Sequence, residues 1–252
     1  MQRNPMTPTH DAGGGKTRSA ILVAHGAPSD PAPQERAMAD LAARVGALLP
    51  TWALRGATLA APGALEAALM GLEAPLIYPF FMAEGWFTTT ELPRRLILAG
   101  RGGVRSLAPF GADPGLPALA RAAAEAGAKA AALDPARSTL LLAAHGSSGT
   151  GAGARASAQA AAALARTLAL GPFARVEVGM IEEAPFLTSV ARAAAARGPG
   201  LCLPLFAQAA AHVREDVPRA LSQAGFTGLV LAPIGAHPGV PALIARALAR
   251  AG

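Results

Sequence analysis

Two histidines occupy equivalent places in two similar segments of the chain. The segments read "ILVAHGAPSDP" at residues 21–31 and "LLLAAHGSSGTG" at residues 140–151. Each is an apolar run that ends in His-Gly and continues into small, turn-forming residues, so His25 and His145 correspond to one another. An imidazole can bind a transition metal or exchange a proton near neutral pH. Both histidines are therefore candidate metal-binding or acid–base residues.

More side chains of this kind follow His145 in the second half of the chain. Glu182 and Glu183 end the next predicted strand, and His212 follows the strand after that. The carboxyl ends of neighbouring parallel strands lie together, so these groups are expected to converge. Two imidazoles and a carboxylate suit a divalent first-row metal, and they also suit removal of a proton from a weakly acidic N–H. The pattern alone leaves open the alternative that each histidine merely caps a strand.

Three blocks recur in the same order at nearly constant spacing, which indicates an internal duplication. Besides the two His-Gly segments, residues 78–96 match residues 203–221, and residues 106–124 match residues 230–248. A duplicated chain of this kind predicts two similar domains that share one topology. The predicted organisation is a disordered leader at 1–19, an N-terminal domain at 20–130 and a C-terminal domain at 138–252.

The elements that must position these side chains alternate along each half. Short apolar runs alternate with longer segments rich in Ala, Leu and Arg, which predicts four β-α units in each half. The predicted fold class is α/β, with two tandem Rossmann-like domains, each a four-stranded parallel sheet flanked by helices. The second strand of the first half, at residues 53–60, is the least regular of these strands.

Composition excludes several classes of protein. The 22 basic and 16 acidic residues give a net charge of +6, but the basic residues are scattered and aromatic residues make up only 4% of the chain, so no nucleic-acid partner is expected. Scattered arginines suit a small polyanionic ligand.

The chain has no apolar run of transmembrane length and no secretory signal, so we expect a cytoplasmic protein without a membrane partner. Its single cysteine, Cys202, excludes an internal disulfide or a cysteine metal cage.

Two glycine-rich segments only partly match nucleotide-binding motifs. "GGGKT" at residues 13–17 lacks the first glycine of a P-loop and precedes the first strand. "GTGAGA" at residues 149–154 begins several residues after its strand. A nucleotide-dependent oxidoreductase is therefore the weakest of the functional hypotheses.

The block around His212 resembles a known family. "FAQAAAHVREDVP" at residues 206–218, together with "HGS" after His145's strand, resembles the class II chelatases, the CbiX/SirB-type sirohydrochlorin chelatases. The match places His212, Glu215, Asp216 and Pro218 in register with the family's motif. It covers residues 20–252 in the arrangement of the long, internally duplicated members.

The resemblance implies ATP-independent insertion of a divalent metal into sirohydrochlorin or a similar polycarboxylate tetrapyrrole, in cobalamin or sirohaem biosynthesis. The metal would be Co²⁺ or Fe²⁺, with Ni²⁺ possible, and no other cofactor is implied. By the resemblance, His145 and His212 hold the metal and accept pyrrole protons. Glu182 assists, with Glu183 as the alternative carboxylate. We expect a monomer or a loose homodimer.

The first half departs from this pattern, which predicts a single active site in the second half. Phe87 stands where His212 stands in the other half, and no acidic residue follows the second strand of the first half. His25 is then a wall residue, a secondary metal contact or a relic. Trp86 and Phe87 are predicted to pack on the macrocycle, with ordinary loop packing as the alternative.

Three further residues are predicted to bind the substrate, and one alternative function remains. Ser147 and Ser148 lie in a loop that suits a large flat ligand, and Arg214 suits a substrate carboxylate unless it belongs to a solvated helix face. The alternative to a chelatase is a non-catalytic tetrapyrrole- or metal-binding protein of the same fold.

Overall fold

The computed structural model describes residues 18–149, 155–208 and 212–252, and the side chain of His212 lies outside that description. Arg18 and Ser19, which the sequence analysis assigned to the leader, are the first two residues of the first strand. The strands are β1 (Arg18–Ala24), β2 (Trp52–Thr58), β3 (Leu76–Pro79), β4 (Thr139–Ala144), β5 (Arg175–Met180), β6 (Gly200–Pro204) and β7 (Leu229–Val230). The α-helices are α1 (Pro31–Gly46), α2 (Ala64–Leu69), α3 (Leu92–Leu98), α4 (Leu116–Ala130), α5 (Ala156–Leu168), α6 (Leu187–Arg197), α7 (Val217–Gln223) and α8 (Val240–Ala251).

The strands form two parallel sheets, one in each half of the chain. The second half contains the predicted four strands in the order β5-β4-β6-β7. From residue 18 onward, where the structure describes it, the first half has three strands in the order β2-β1-β3, so the prediction of a fourth strand there was wrong. At the place of the predicted strand, the structure has one isolated parallel β-bridge between Ile77 and Ser106. Ile77 donates its backbone N–H to the Arg105 carbonyl oxygen and accepts from the Leu107 N–H, and the 3-10 turn Phe110–Ala112 follows.

The irregular segment in the first half is a strand as predicted. Gly56 lies in the middle of β2, where α1 crosses the sheet very closely. A Cβ atom at this position would lie 2.3 Å from the carbonyl oxygen of Met38. The glycine that weakens the strand pattern is therefore required by helix packing.

Proline begins equivalent helices in both halves. Pro93 and Pro218 lie in the first turns of α3 and α7, and Pro117 and Pro241 lie in the first turns of α4 and α8. Proline is tolerated there because the first backbone N–H groups of a helix have no partner within that helix. The repeated prolines thus start each helix at the same place in the two halves.

The two halves exchange their last helices and share one core. Helix α4 lies against β6 of the second half, whereas α8 lies against α1 and β3 of the first half. Leu22 of β1 and Leu142 of β4 are fully buried members of one apolar cluster. A hydrogen bond from Arg105 Nη1 to the carbonyl oxygen of Ala251, 2.7 Å long, also joins the halves. This shared packing fixes the carboxyl ends of the two sheets relative to one another.

Cys202 is an internal residue of β6 and packs in the second half's core. Burial raises the pKa of its thiol to about 12, so the thiol stays protonated at neutral pH. None of the helices in the described ranges is long and apolar enough to cross a lipid bilayer.

Candidate active site

The two histidines follow the central strands of their sheets and have the same local geometry. His25 follows β1 and His145 follows β4, and each is followed by a glycine with positive φ, +79° at Gly26 and +73° at Gly146. Nδ1 of His25 lies 2.7 Å from the Gly26 carbonyl oxygen, and Nδ1 of His145 lies 3.0 Å from the Gly146 carbonyl oxygen. A carbonyl oxygen only accepts hydrogen bonds, so Nδ1 carries the proton in each neutral ring. Nε2 is therefore the basic nitrogen of both histidines.

A carboxylate lies beside the histidine of the second half. Glu182 Oε1 is 3.7 Å from His145 Nε2, and both side chains are 35% exposed. The Glu182 backbone N–H also donates to the His145 carbonyl oxygen over 3.0 Å, which fixes the two loops together. The convergence expected from strand order is present for this pair. The two side chains form an ion pair when His145 is protonated.

The neighbouring carboxylate has a different position. Glu183 Oε1 accepts a hydrogen bond of 3.0 Å from the backbone N–H of Ser147. A Cβ atom on Gly146 would lie 2.9 Å from Glu183 Cγ, so the loop passes directly over this side chain. Glu183 therefore supports the loop that follows His145, while Glu182 faces the imidazole.

His212 is the first residue of a π-helical turn, His212–Asp216, that follows β6 and leads into α7. Its side chain lies outside the described residues, so its pairing with His145 stays a prediction. Among the side chains that are described, no three His, Cys, Asp or Glu residues form a group able to hold a metal ion. A π-turn in this place is typical of functional sites.

The first half has an aromatic cluster where the second half has His212. Phe87 begins the equivalent π-helical turn, Phe87–Glu91, and its ring meets His25 edge to face at a centroid distance of 4.1 Å. Trp86 contacts Phe87 at 5.0 Å and remains 56% exposed. Phe87 thus fills the space next to His25, and Trp86 presents an uncovered aromatic surface.

A cavity of about 810 Å³ lies between these two regions. Both histidines, the aromatic cluster and Ser147 line it, whereas the predicted ligand residues Ser148 and Arg214 are exposed and are not part of its wall. Its described wall contains no arginine or lysine. The lining residues are His25, Gly26, Ala27, Pro28, Phe80, Phe81, Met82, Ala83, Gly85, Trp86, Phe87, Thr88, His145, Gly146, Ser147, Ser157, Leu205, Phe206, Ala207 and Gln208.

Three arginines in the first turns of α3 and α7 have carboxylate partners within the protein. Glu91 accepts hydrogen bonds from Arg94 and Arg95 at 2.7–2.9 Å. Arg219 pairs with Asp216 at the equivalent place in the second half. These ion pairs hold the first turns of α3 and α7 together and lie outside the described cavity wall.

Sequence reasoning missed Gln208, which lines the cavity. The signal was present in the repeat, because Gln208 is aligned with Ala83 of the first half and is a polar residue among small ones. His237, aligned with Asp113, has a structural role: its Nδ1 accepts from the Gly239 N–H, as Asp113 Oδ1 accepts from the Gly115 N–H. The glycine-rich segments at 13–17 and 150–154 lie outside the described residues.

Comparison with known proteins identifies the family. The sequence profile of the CbiX family matches residues 139–251. The structure of CbiX, described as the terminal enzyme for biosynthesis of sirohaem in denitrifying bacteria, is 52% identical; the match covers 93% of this chain and 100% of that one, with a TM-score of 0.85. No curated protein sequence gives a significant match.

More distant structures share the fold. A multi-domain protein of Deinococcus radiodurans with structural similarity to chelatases is 26% identical over 93% of this chain and 55% of its own, with a TM-score of 0.72. SirB of Bacillus subtilis with Fe³⁺ is 15% identical over 92% of this chain and 95% of its own, with a TM-score of 0.71. The identity and full coverage of the CbiX structure show that this chain belongs to the CbiX family of class II chelatases.

Proposed function

We propose that this protein inserts a divalent metal ion, Fe²⁺ or Co²⁺, into sirohydrochlorin or a closely related polycarboxylate tetrapyrrole without using ATP. The observation that carries the proposal is the pair of His145 Nε2 and Glu182 Oε1, 3.7 Å apart, at the wall of a cavity of about 810 Å³. That cavity is large enough for an extended ligand and combines a base with an aromatic surface.

Metal insertion releases protons that the protein must accept. The free macrocycle carries two pyrrole N–H groups, and both protons leave as one divalent ion binds the four nitrogens. Nε2 of neutral His145 accepts these two protons one after the other, because its Nδ1 is already protonated and donates to the Gly146 carbonyl oxygen. The Glu182 carboxylate stabilises the imidazolium that forms, and the proton then passes to solvent through the exposed part of both side chains.

The same side chains suit delivery of the metal substrate. Imidazole nitrogen and carboxylate oxygen are both ligands of divalent first-row metals. A site with few protein ligands leaves water in the remaining coordination positions, and the nitrogens of the macrocycle can replace that water in turn. His212, four residues after the cavity residue Gln208, would supply a further imidazole in this proposal.

The aromatic cluster of the first half suits the flat face of a tetrapyrrole. Trp86 and Phe87 both line the cavity and contact each other edge to face, and Trp86 is more than half exposed. Burial of an aromatic face against a ligand favours binding through both contact area and ring geometry. The first half would thus hold the macrocycle while the second half exchanges metal and protons.

The donor atoms do not distinguish the candidate metals, whereas the description of the relative favours one of them. Nitrogen and oxygen ligands accommodate Fe²⁺, Co²⁺ and Ni²⁺, and their affinities differ mainly by the general order of these ions. The 52% identical CbiX acts in sirohaem biosynthesis, which favours Fe²⁺ and sirohaem biosynthesis for this chain. Co²⁺, and with it cobalamin biosynthesis, is the second candidate.

Anaerobic turnover tests the proposal. Purified protein is mixed with sirohydrochlorin and either Fe²⁺ or Co²⁺, with and without ATP, and the conversion is followed by absorbance. We expect insertion faster than in buffer, with no effect of ATP, and a higher rate with Fe²⁺. A protein that binds sirohydrochlorin but leaves the insertion rate at the buffer value would instead be a non-catalytic binding protein.

A further inference from the structure

One cavity residue joins the two halves of the molecule. Gln208 belongs to the segment after β6, and its Oε1 accepts a hydrogen bond of 3.3 Å from the backbone N–H of Gly26 in the first half. Gly26 directly follows His25, so this contact connects the third-strand loop of one half to the histidine loop of the other. Both residues line the cavity.

This hydrogen bond also fixes the orientation of the Gln208 amide. A backbone N–H is only a donor, so the amide must turn its oxygen toward Gly26 and its nitrogen away. Nε2 is shielded from solvent and has no hydrogen-bond partner among the described residues. A buried amide N–H without a hydrogen-bond partner is unfavourable and is uncommon in folded proteins. Where one occurs, a functional role such as ligand binding is a common reason.

The surroundings indicate what would satisfy this donor. Within the described cavity wall, His25 and His145 are the ionisable residues, and no guanidinium or ammonium group is present to meet a carboxylate. The Thr88 hydroxyl already donates to the Gly85 carbonyl oxygen. The Gln208 amide is already desolvated and held in place, so it would lose little freedom when an acceptor arrives.

We infer that Gln208 recognises the substrate: its Nε2 donates a hydrogen bond to a carboxylate of the tetrapyrrole, while its Oε1 keeps the Gly26 loop in position. This inference rests on the proposed function, because that function supplies a ligand rich in carboxylates. The role is specific to the second half, because the equivalent residue of the first half, Ala83, has no donor.

Equilibrium binding tests the inference without requiring turnover. Metal-free sirohydrochlorin is titrated into wild-type protein and into the Gln208→Glu, Gln208→Met and Gln223→Glu variants, and absorbance gives each Kd. Gln208→Glu keeps an acceptor for the Gly26 N–H and replaces the donor with a negative charge. Gln223→Glu makes the same charge change at an exposed position of α7 and is the matched control.

We expect Gln208→Glu to raise the Kd at least about tenfold and Gln208→Met to raise it about threefold or more, since each loses a hydrogen bond to a charged group. Gln223→Glu should match the wild type. Wild-type affinity in both Gln208 variants would overturn the inference, and Gln208→Met decides it if Gln208→Glu does not fold.

The same titration separates this inference from the proposed function. If the wild type binds sirohydrochlorin but does not insert metal, the proposed function fails while the Kd comparison still decides the role of Gln208. If the wild type does not bind sirohydrochlorin, both are overturned.

Discussion

The two halves have the same backbone around their histidines but different side chains. The Ala60 N–H donates to the His25 carbonyl oxygen over 2.8 Å, and the Glu182 N–H donates to the His145 carbonyl oxygen over 3.0 Å. Ala60 is therefore the structural counterpart of Glu182. In the same way Phe87 begins the π-helical turn that His212 begins in the other half. The first half keeps one of the three groups considered for chemistry.

This difference shows how a duplicated fold becomes asymmetric. Loss of the carboxylate removes the group that would stabilise a protonated His25, and Phe87 covers one side of its ring at 4.1 Å. Phe87 also enlarges the aromatic surface that faces the cavity. One copy is thus suited to acid–base and metal chemistry, and the other is suited to holding a flat ligand opposite it.

The largest expected effect separates the two histidines. His145→Ala should lower kcat for metal insertion by a factor on the order of 10²–10⁴, the usual contribution of a general base. His25→Ala should lower it less than about tenfold, because no carboxylate supports that ring. Initial rates with saturating sirohydrochlorin measure both values, and equal losses would contradict the asymmetry.

A second comparison separates the adjacent carboxylates. Glu182→Gln should lower kcat about 10- to 100-fold because it removes the charge beside His145, with little change in Tm. Glu183→Ala should act on stability, because it removes the acceptor of the Ser147 N–H. Loss of that hydrogen bond costs about 1 kcal/mol, which corresponds to a fall in Tm of about 2–4 °C. Measurements of kcat and Tm for both variants test these two roles. A loss of kcat in Glu183→Ala together with a loss of Tm in Glu182→Gln would show that the roles are the other way round.

The aromatic wall should affect binding more than turnover. Trp86→Ala should raise the KM for the tetrapyrrole about two- to tenfold, since an aromatic contact contributes about 0.5–1.5 kcal/mol beyond its buried area. The metal KM and kcat should change little. Phe186→Ala, which removes an exposed aromatic ring outside the cavity wall, is the control. A drop in kcat without a change in KM would place Trp86 in the chemistry instead.

The smallest expected effect concerns an ion pair that differs between the halves. Hydrogen bonds from Arg94 and Arg95 lower the pKa of Glu91 to about 2 from an ordinary value of about 4.5. The folded pKa lies below the unfolded one, so the carboxylate contributes stability above the ordinary value and loses it as the pH falls toward 2.

Glu91→Gln should therefore lower the free energy of unfolding at pH 7, and its difference from the wild type should shrink as the pH falls from about 4.5 to 2. Urea denaturation across this range measures it, with Glu125→Gln on the exposed face of α4 as the control. A difference independent of pH would show that packing, not charge, explains the effect.

The sequence predicted the parts of this structure that depend on local pattern and repetition. Apolar runs identified the strands, and strand order brought His145 and Glu182 together. The pattern did not show that the fourth strand of the first half shortens to one bridge at Ser106, because "SLAP" at residues 106–109 closely matches "VLAP" at residues 230–233, where β7 ends. The choice between Glu182 and Glu183 also required coordinates, since adjacent side chains differ only in direction.

The exchange of terminal helices was not predictable from either half alone. Ala120 of α4 is fully buried in the core that both halves share. The sequence shows only that α4 has an apolar face, and such a face could pack on the sheet of either half. Gln208 was overlooked because a single polar residue in a loop has no periodic signal. Its partner, Gly26, lies in the other half of the chain.

In the proposed reaction, metal chemistry takes place beside His145 and not beside His25. Anomalous scattering from crystals soaked with Co²⁺ tests it most directly, because the signal locates the metal without reference to activity. We expect a Co²⁺ peak bound by His145 Nε2 with Glu182 next to it. A peak at His25, with none at His145, would contradict it.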